Sequence, residues 1–172
     1  AYGILTTFRR GDVPAPDVDY GAILRTLGKC ELYLGKHEAA IRSLGESLRY
    51  APDDRHAREL LAEAYLKQGD RELAKQLLHS AFQAENATAR ELYLTGLIMV
   101  DEEQSNASEY FKLALETTFA YPAEETGERQ FLIASIAERL GQRDLAARYK
   151  KKAAALSFTE AAPWASPNRR TE

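Results

Sequence analysis

The sequence contains one cysteine, one methionine and one tryptophan among its 172 residues. The single cysteine, Cys30, excludes a disulfide within the chain. It does not fix the compartment: we favour the cytoplasm, and the periplasm or export stay open. Long apolar runs are also missing, so we expect no membrane insertion. The chain begins at Ala1 without a methionine, which indicates that an upstream segment has been removed or is not included.

Neither sign of charge dominates the sequence. The 23 basic and 26 acidic residues are interspersed and give a net charge of -3. A nucleic-acid-binding domain favours a strongly basic face, so we expect no nucleic acid among the partners. Hydrophobic residues make up 45% and charged residues 28% of the chain, which is typical of a folded domain.

Side chains suited to catalysis or metal binding are few and scattered. His37, His56 and His79 lie in different predicted helices, and none has a histidine partner at the i+4 spacing of a helical metal pair. Glycine-rich phosphate loops, nucleophile elbows and paired cysteines are absent from the sequence. We expect Cys30 to be a buried, inert thiol. The sequence therefore predicts no catalytic residues, no metal and no cofactor.

The sequence does contain a repeat of about 34 residues. Gly35 is followed 34 residues later by Gly69, and Ala40 is followed at the same interval by Ala74. The pattern Leu-Gly-x-x-x-x-Ala at 34–40 returns at 140–146. A period of this size marks an array of stacked supersecondary units. Such arrays build extended surfaces that bind other proteins.

Apolar residues three and four apart predict an all-α chain of paired antiparallel helices. The predicted helices are 20–33, 37–49, 55–68, 71–84, 88–100, 104–118, 124–140 and 143–157. Gly35, Gly69 and Gly141 follow apolar-periodic stretches, so we expect a left-handed residue at each of these helix ends. Asp53 and Asp54 are predicted N-caps after Pro52.

The repeats divide the chain into three parts. We expect an N-terminal arm and linker at 1–20, a repeat domain at 21–157 and a tail at 158–172 that contains Trp164. The predicted units are about 21–54, 55–88, 89–121 and 122–157. The third lacks one residue at its inner turn, where 101–104 replaces the glycine. Five extra residues at 119–123 form either a longer loop or an extended helix end.

These residues resemble the tetratricopeptide-repeat family. The first unit matches the family pattern at Leu24, Leu27, Gly28, Gly35, Ala40, Leu44 and Pro52. The second matches at Leu61, Ala62, Tyr65, Gly69, Ala74, Leu78 and Ala81. The third and fourth retain Leu92, Gly96, Ala107, Phe111 and Ala114, then Ala134, Gly141, Ala146 and Ala153. Unit one departs from the pattern at Glu31, where the family has tyrosine, and at Ser47. The resemblance implies a right-handed superhelix of antiparallel helix pairs.

The resemblance also implies a concave groove lined by one face of every first helix. Those positions hold Arg25, Lys29 and Tyr33, then His56, Glu59, Glu63 and Lys67, then Arg90, Tyr93, Leu94 and Leu97, and last Glu128, Phe131, Ser135 and Arg139. Tyr93, Leu97 and Phe131 would form an apolar zone, with cations around it and a negative strip at Glu59 and Glu63. We expect a protein or peptide partner with apolar anchors and mixed charge.

The sequence thus favours a non-enzymatic adaptor that binds a partner segment in its groove and assists complex assembly. Three alternatives stay open: the repeat domain of a larger enzyme or a secretion or transport system that positions its substrate, a homo-oligomeric scaffold, and binding through the convex face. The length is similar to that of small bacterial helical-repeat secretion chaperones. The carboxylate clamp of heat-shock co-chaperones is rejected, because Lys29 and Leu60 replace its asparagines and Leu94 replaces its arginine.

Overall fold

The computed structural model describes residues 19–79, 86–120 and 125–156. The predicted N-terminal arm up to residue 18, the end of the fourth predicted helix and the predicted tail with Trp164 lie outside the described residues. So do residues 121–123 of the predicted insertion at 119–123. The described residues form helices joined by turns, without strands. They divide into an N-terminal unit that ends at Leu77 and a C-terminal unit that begins at Leu78.

Both units consist of helix pairs, as the periodicity predicts. The N-terminal unit contains α1 (Tyr20–Tyr33), α2 (His37–Tyr50), α3 (Arg55–Gln68) and α4 (Arg71–Leu77). The C-terminal unit contains α5 (Ala89–Asp101), α6 (Ala107–Ala120), α7 (Gly127–Arg139) and α8 (Arg143–Ala155). The all-α prediction is confirmed for the described residues. Two helices begin three residues later than expected: α6 begins at 107 instead of 104, and α7 begins at 127 instead of 124.

Every first helix of a pair begins with a side-chain cap. Asp19 accepts a hydrogen bond from the backbone N–H of Ala22, and Asp54 accepts one from that of Ala57. Thr88 caps α5 in a capping box with Glu91, and Thr126 caps α7. These bonds satisfy backbone donors that have no partner inside the helix. Of the two predicted caps before α3, Asp54 is the one that forms the bond.

A residue with positive φ follows the end of every first helix within two residues. Gly35, Gly69 and Gly141 have φ of 71°, 96° and 70°, as the sequence predicts. In the third repeat Glu103 takes this place with φ of 56°. Glu103 follows Gly69 by 34 residues, so the turn keeps the repeat interval. The missing residue therefore lies after the turn, between Glu103 and Ala107.

Glycines allow the closest approach within two of the helix pairs. A Cβ atom at Gly28 of α1 would lie 2.5 Å from Cγ of Leu44 in α2. A Cβ at Gly96 of α5 would lie 2.6 Å from Cε1 of Phe111 in α6. Leu44 and Phe111 are both buried. A side chain at either glycine would overlap the core, so these positions set the spacing of the two hairpins.

Each unit has its own described apolar cluster. The N-terminal cluster joins three helices through Leu32, Ala40, Leu44, Leu60, Leu61 and Ala64. The main C-terminal cluster contains Leu92, Ala107, Phe111, Ala114 and Ile136. In both, residues of a second helix lie between those of its own first helix and those of the next. This arrangement buries faces that a single pair would leave exposed.

Candidate functional site: the faces of the first helices

The predicted binding residues of α1 share one helix face, because Arg25, Lys29 and Tyr33 are four residues apart. All three are partly exposed. The ammonium of Lys29 lies 5.8 Å from the centroid of the Tyr33 ring, within the range of a cation–π interaction. The aromatic side chain and the cation therefore form one surface at the C-terminal end of α1.

Arg25 forms an ion pair and a hydrogen bond with Asp54, the N-cap of α3. Partial burial by itself would raise the pKa of Asp54. The backbone N–H of Ala57 and the Arg25 guanidinium counter this by stabilising the carboxylate, and the pKa lies below its ordinary value of 3.8. Arg25 thus ties α1 to the start of α3, and its charge is offset by a carboxylate that the sequence analysis did not connect with it.

The four predicted residues of α3 differ in how far they reach solvent. Lys67 is exposed, and His56 and Glu63 are partly exposed. The Glu59 side chain is only 8% exposed and lies with Oε2 3.4 Å from Nδ1 of His56. The expected negative strip is therefore reduced at the surface, since one of its two carboxylates is buried.

In the C-terminal unit an ion pair joins two first helices. Arg90 is the second residue of α5 and Glu128 is the second residue of α7, and Arg90 Nη1 lies 2.5 Å from Glu128 Oε1. Their side chains are 15% and 23% exposed, so the pair is partly desolvated. The residues at the same repeat position thus meet across neighbouring first helices.

The apolar residues expected beside this pair lie between core and surface. Tyr93 packs on the C-terminal cluster with its ring 5.9 Å from that of Phe111, and Leu97 packs on the same cluster. Phe131 is partly exposed. Leu94 was expected on this face and is buried, at 1% exposure, because it points into the helix packing. Tyr93, Leu97 and Phe131 retain the exposure that a binding residue requires.

The expected distribution of charge changes with these contacts. The sequence places Arg25 and Arg90 around the apolar zone as positive charges, whereas each is balanced by a carboxylate in the structure. Tyr65 packs against the N-terminal cluster and Tyr93 against the C-terminal cluster. One continuous inner wall lined by all four first helices therefore stays a prediction.

Other chemistry-bearing residues are dispersed in the described parts of the chain. No group of three His, Cys, Asp or Glu side chains is arranged there to hold a metal ion. Cys30 is half-buried, whereas the sequence analysis expected it to be buried. None of the helices in those same ranges combines the length and apolarity needed to cross a membrane.

Sequence reasoning missed several buried polar residues. Glu31 and Ser43 are both buried, and Ser43 Oγ donates a hydrogen bond of 2.5 Å to Glu31 Oε2. Gln130 of α7 is 1% exposed, and neither its amide nitrogen nor its amide oxygen has a hydrogen-bond partner among the described residues. Gln130 stands where the family pattern has leucine or tryptophan, so comparison with that pattern was the signal that would have identified it.

A comparison with protein-family models matches the tetratricopeptide repeat to residues 31–93. This match confirms the expected resemblance to the tetratricopeptide-repeat family over residues 31–93. The matched range begins near the end of α1, spans α2 to α4 and enters α5. It includes the second predicted unit and the part of the first unit from residue 31 onward. A sequence comparison with curated proteins gives no match.

Solved structures with a similar fold include several MamA proteins. MamA 41-end from Desulfovibrio magneticus RS-1 aligns with a TM-score of 0.55 at 20% identity, covering 91% of this chain and 83% of that one. MamA AMB-1 aligns at 0.52 and 24% identity, covering 91% and 86%. A further MamA crystal structure aligns at 0.53 and 22%, covering 91% and 85%. At these identities the likeness shows the fold. Together with the repeats, it supports a protein-interaction or scaffold module.

Proposed function

We propose that this chain is a non-enzymatic adaptor whose first-helix faces bind a segment of a partner protein and help to assemble a complex. The observation that carries the proposal is the ion pair between Arg90 of α5 and Glu128 of α7. It aligns the same repeat positions of two neighbouring first helices. A binding surface built from repeats requires this alignment, because each repeat contributes only a few side chains.

The residues that follow the ion pair supply the proposed contact surface of the C-terminal unit. Tyr93 lies three residues after Arg90, and Phe131 lies three residues after Glu128, so each is one turn further along the same helix face. Leu97 is one turn beyond Tyr93. Aromatic side chains bury a large area at a small entropic cost and are enriched among residues that dominate binding. The proposed partner therefore presents apolar or aromatic anchors to this unit.

The N-terminal unit offers a more polar surface. Its predicted groove positions combine the partly exposed Lys29–Tyr33 cation–π pair with the partly exposed Glu63 and the exposed Lys67. A surface with both signs of charge suits a segment that also carries both, since complementary charges favour the correct partner and disfavour others. We expect the mixed charge of the partner segment to contact this unit.

The test uses a displayed library of random peptides, selected on the immobilised protein. The selected peptides are then measured by fluorescence anisotropy against Tyr93→Ala and Phe131→Ala. Each substitution should weaken binding by about tenfold or more, because the removal of a central aromatic anchor typically costs 1–2 kcal/mol or more. The matched controls are Tyr50→Ala and Phe119→Ala, which remove aromatic side chains that are 56% and 51% exposed on second helices.

The result that supports the proposal is a loss confined to the first-helix variants. An equal loss in the control variants, or a loss in the controls alone, would place binding on the other face and overturn it. Light scattering over a concentration series is run alongside. A homo-oligomer that dissociates on Phe131→Ala and selects no peptide would favour the alternative of a self-associating scaffold.

A further inference from the structure

Helix α8 presents a basic face to solvent. It contains five basic residues and one acidic residue: Arg143, Arg148, Lys150, Lys151 and Lys152 against Asp144. Arg143, Arg148, Lys151 and Lys152 are exposed, whereas the side that packs on α7 carries Ala146, Tyr149 and Ala153. The chain as a whole has a net charge of -3. The positive charge of α8 is therefore a local excess.

The second helix of the first repeat, α2, uses one face to pack on the next helix, α3, and the equivalent face of α8 can be compared with it. Ile41, Leu44 and Leu48 of α2 pack in the N-terminal cluster with Leu60 and Leu61 of α3. Counted from the alanine that both helices share, Ala40 in α2 and Ala146 in α8, the equivalent residues of α8 are Ala147, Lys150 and Ala154. Small and charged residues have thus replaced the bulky apolar ones. This face is not built to receive another apolar helix.

A polar outer face is sufficient for a helix that caps an array, but such a face requires no single sign of charge. In α8 some of the charge is balanced. Lys150 Nζ lies 2.7 Å from Glu138 Oε1, and Lys152 Nζ lies 3.9 Å from Glu125 Oε1. Within the described residues, Arg143, Arg148 and Lys151 have no carboxylate at ion-pair distance. These three side chains carry positive charge that is available to a ligand.

Ala147 and Ala154 form an alanine track along the solvent face of α8, and basic side chains lie on and beside it. Ala147, Lys151 and Ala154 follow at i, i+4 and i+7 and lie on one stripe of the helix. Arg148 and Lys152 lie to one side of it, with the Arg148 guanidinium 5.3 Å and the Lys152 ammonium 5.0 Å from the Tyr149 ring centroid. The alanines permit close approach of another backbone, and the stacking of two cations on one ring limits their freedom before binding.

We propose that the solvent face of α8 is a second docking surface, which binds an acidic segment of a protein. The segment lies along the alanine track, and its carboxylates pair with Arg148 and Lys151. A membrane surface fits less well, because a helix that lies in a bilayer interface needs bulky apolar residues such as Leu, Phe or Trp, whereas the apolar residues exposed within α8 are alanines. This surface is independent of the first-helix faces.

The test measures the binding of three probes to the full chain: a labelled helical peptide of glutamate and alanine, vesicles of phosphatidylcholine and phosphatidylserine, and a duplex DNA. The variant is Arg148→Glu with Lys151→Glu. The matched control is Arg42→Glu with Lys112→Glu, which makes the same change in net charge at exposed positions in the middle of α2 and α6. Circular dichroism verifies that both variants keep the helix content of the parent chain.

We expect the acidic peptide to bind, to weaken as salt is added, and to bind about tenfold less tightly to the α8 variant while the control variant changes little. Amide chemical-shift changes should centre on 143–155. The absence of peptide binding would overturn the proposal. Equal weakening in both variants would also overturn it, because binding would then depend on net charge. Binding to the vesicles or the DNA alone would assign the face to another class of partner.

Discussion

Buried polar side chains distinguish the two units. In the N-terminal unit, Glu31 replaces the tyrosine of the repeat pattern and accepts a hydrogen bond from Ser43, while Ser47 donates one of 2.7 Å to the carbonyl of Gly21. Among the described residues, the C-terminal unit buries the Gln130 amide and the Thr95 hydroxyl without a hydrogen-bond partner, whereas the N-terminal unit leaves only His37 Nε2 in this state. A buried polar group without a partner costs about 1–3 kcal/mol. A departure from the repeat pattern is therefore tolerated best when a second side chain accompanies it, as Ser43 accompanies Glu31.

The ends of the first helices show the same difference. In the N-terminal unit, glycine occupies the left-handed position after both first helices, at Gly35 and Gly69. In the C-terminal unit, Glu103 occupies this position after α5, and glycine returns only at Gly141, after α7. The left-handed conformation costs a residue with a side chain about 1 kcal/mol, whereas glycine adopts it readily. The C-terminal unit therefore holds more local strain, and substitutions can test this directly.

The largest effect is expected from the side chains that face Gly28 and Gly96. Phe111→Ala should lower the free energy of unfolding by about 4 kcal/mol and Leu44→Ala by about 3 kcal/mol, because each leaves a cavity between three helices. Urea unfolding monitored by circular dichroism measures both values. A smaller loss for Phe111→Ala than for Leu44→Ala would mean that the C-terminal core relaxes around the cavity more readily than the N-terminal one, which would sharpen the contrast between them.

The contrast in polar burial predicts effects of opposite sign. Gln130→Leu removes an amide that has no partner in the described parts of the chain and restores an apolar residue of the repeat pattern, so we expect a gain in stability of about 1–2 kcal/mol. Ser43→Ala leaves the buried carboxyl of Glu31 without this hydrogen bond, so we expect a loss of about 1–3 kcal/mol. Both are measured by urea unfolding.

Gln130→Asn is the control for the first of these changes, because it keeps the amide and shortens the side chain. It should not stabilise the protein. If Gln130→Leu destabilises the chain, the amide has a role that the described residues do not reveal, and the comparison between the two units fails.

The sequence predicted the repeats well because local rules govern them. The glycines at 35, 69 and 141 predict left-handed turns, because glycine adopts positive φ without strain. Gly28 and Gly96 were recognised as part of the family pattern, and the structure gives the reason, since a Cβ at either would overlap Leu44 or Phe111. The partners of individual side chains could be predicted less well from the sequence. Arg25 was expected to be an available cation, but its partner Asp54 is 29 residues away, and only the packing of α3 beside α1 brings them together. Ion pairs between repeats depend on how neighbouring helices are aligned with each other. The residue spacing within one repeat does not determine this alignment.

Substitutions at the turns test whether the C-terminal unit holds more backbone strain than the N-terminal unit, and their expected effects are smaller. Glu103→Gly should stabilise the chain by about 1 kcal/mol, because glycine adopts positive φ without strain. Gly69→Ala should destabilise it by about 1 kcal/mol for the same reason, since no atom lies within 4 Å of the added Cβ and the cost is conformational alone. Thermal unfolding of the two variants provides the comparison. If both variants are destabilised, contacts of the Glu103 side chain must offset the conformational cost of its positive φ.

The smallest effect concerns the charge of Asp54. Its pKa is lowered in the folded chain, so the folded state favours the carboxylate more than the unfolded state does. This contribution to stability is complete above the unfolded pKa, near 3.8, and is lost as the pH falls through the lower folded value. Asp54→Asn keeps a good N-cap and removes the charge. The variant should therefore be less stable than the parent at pH 7, and the difference should shrink as the pH is lowered below 4.

Urea unfolding of both proteins between pH 7 and pH 3 measures this difference, and the same experiment on Arg25→Met removes the other half of the pair. The control is Asp53→Asn, since Asp53 is exposed and Asp54 forms the cap. It should leave the free energy of unfolding unchanged across the range. A difference for Asp54→Asn that stays constant with pH would mean that Asp54 acts only as a hydrogen-bond acceptor. The N-terminal unit would then lack the electrostatic tie between α1 and α3 that corresponds to the Arg90–Glu128 pair of the C-terminal unit.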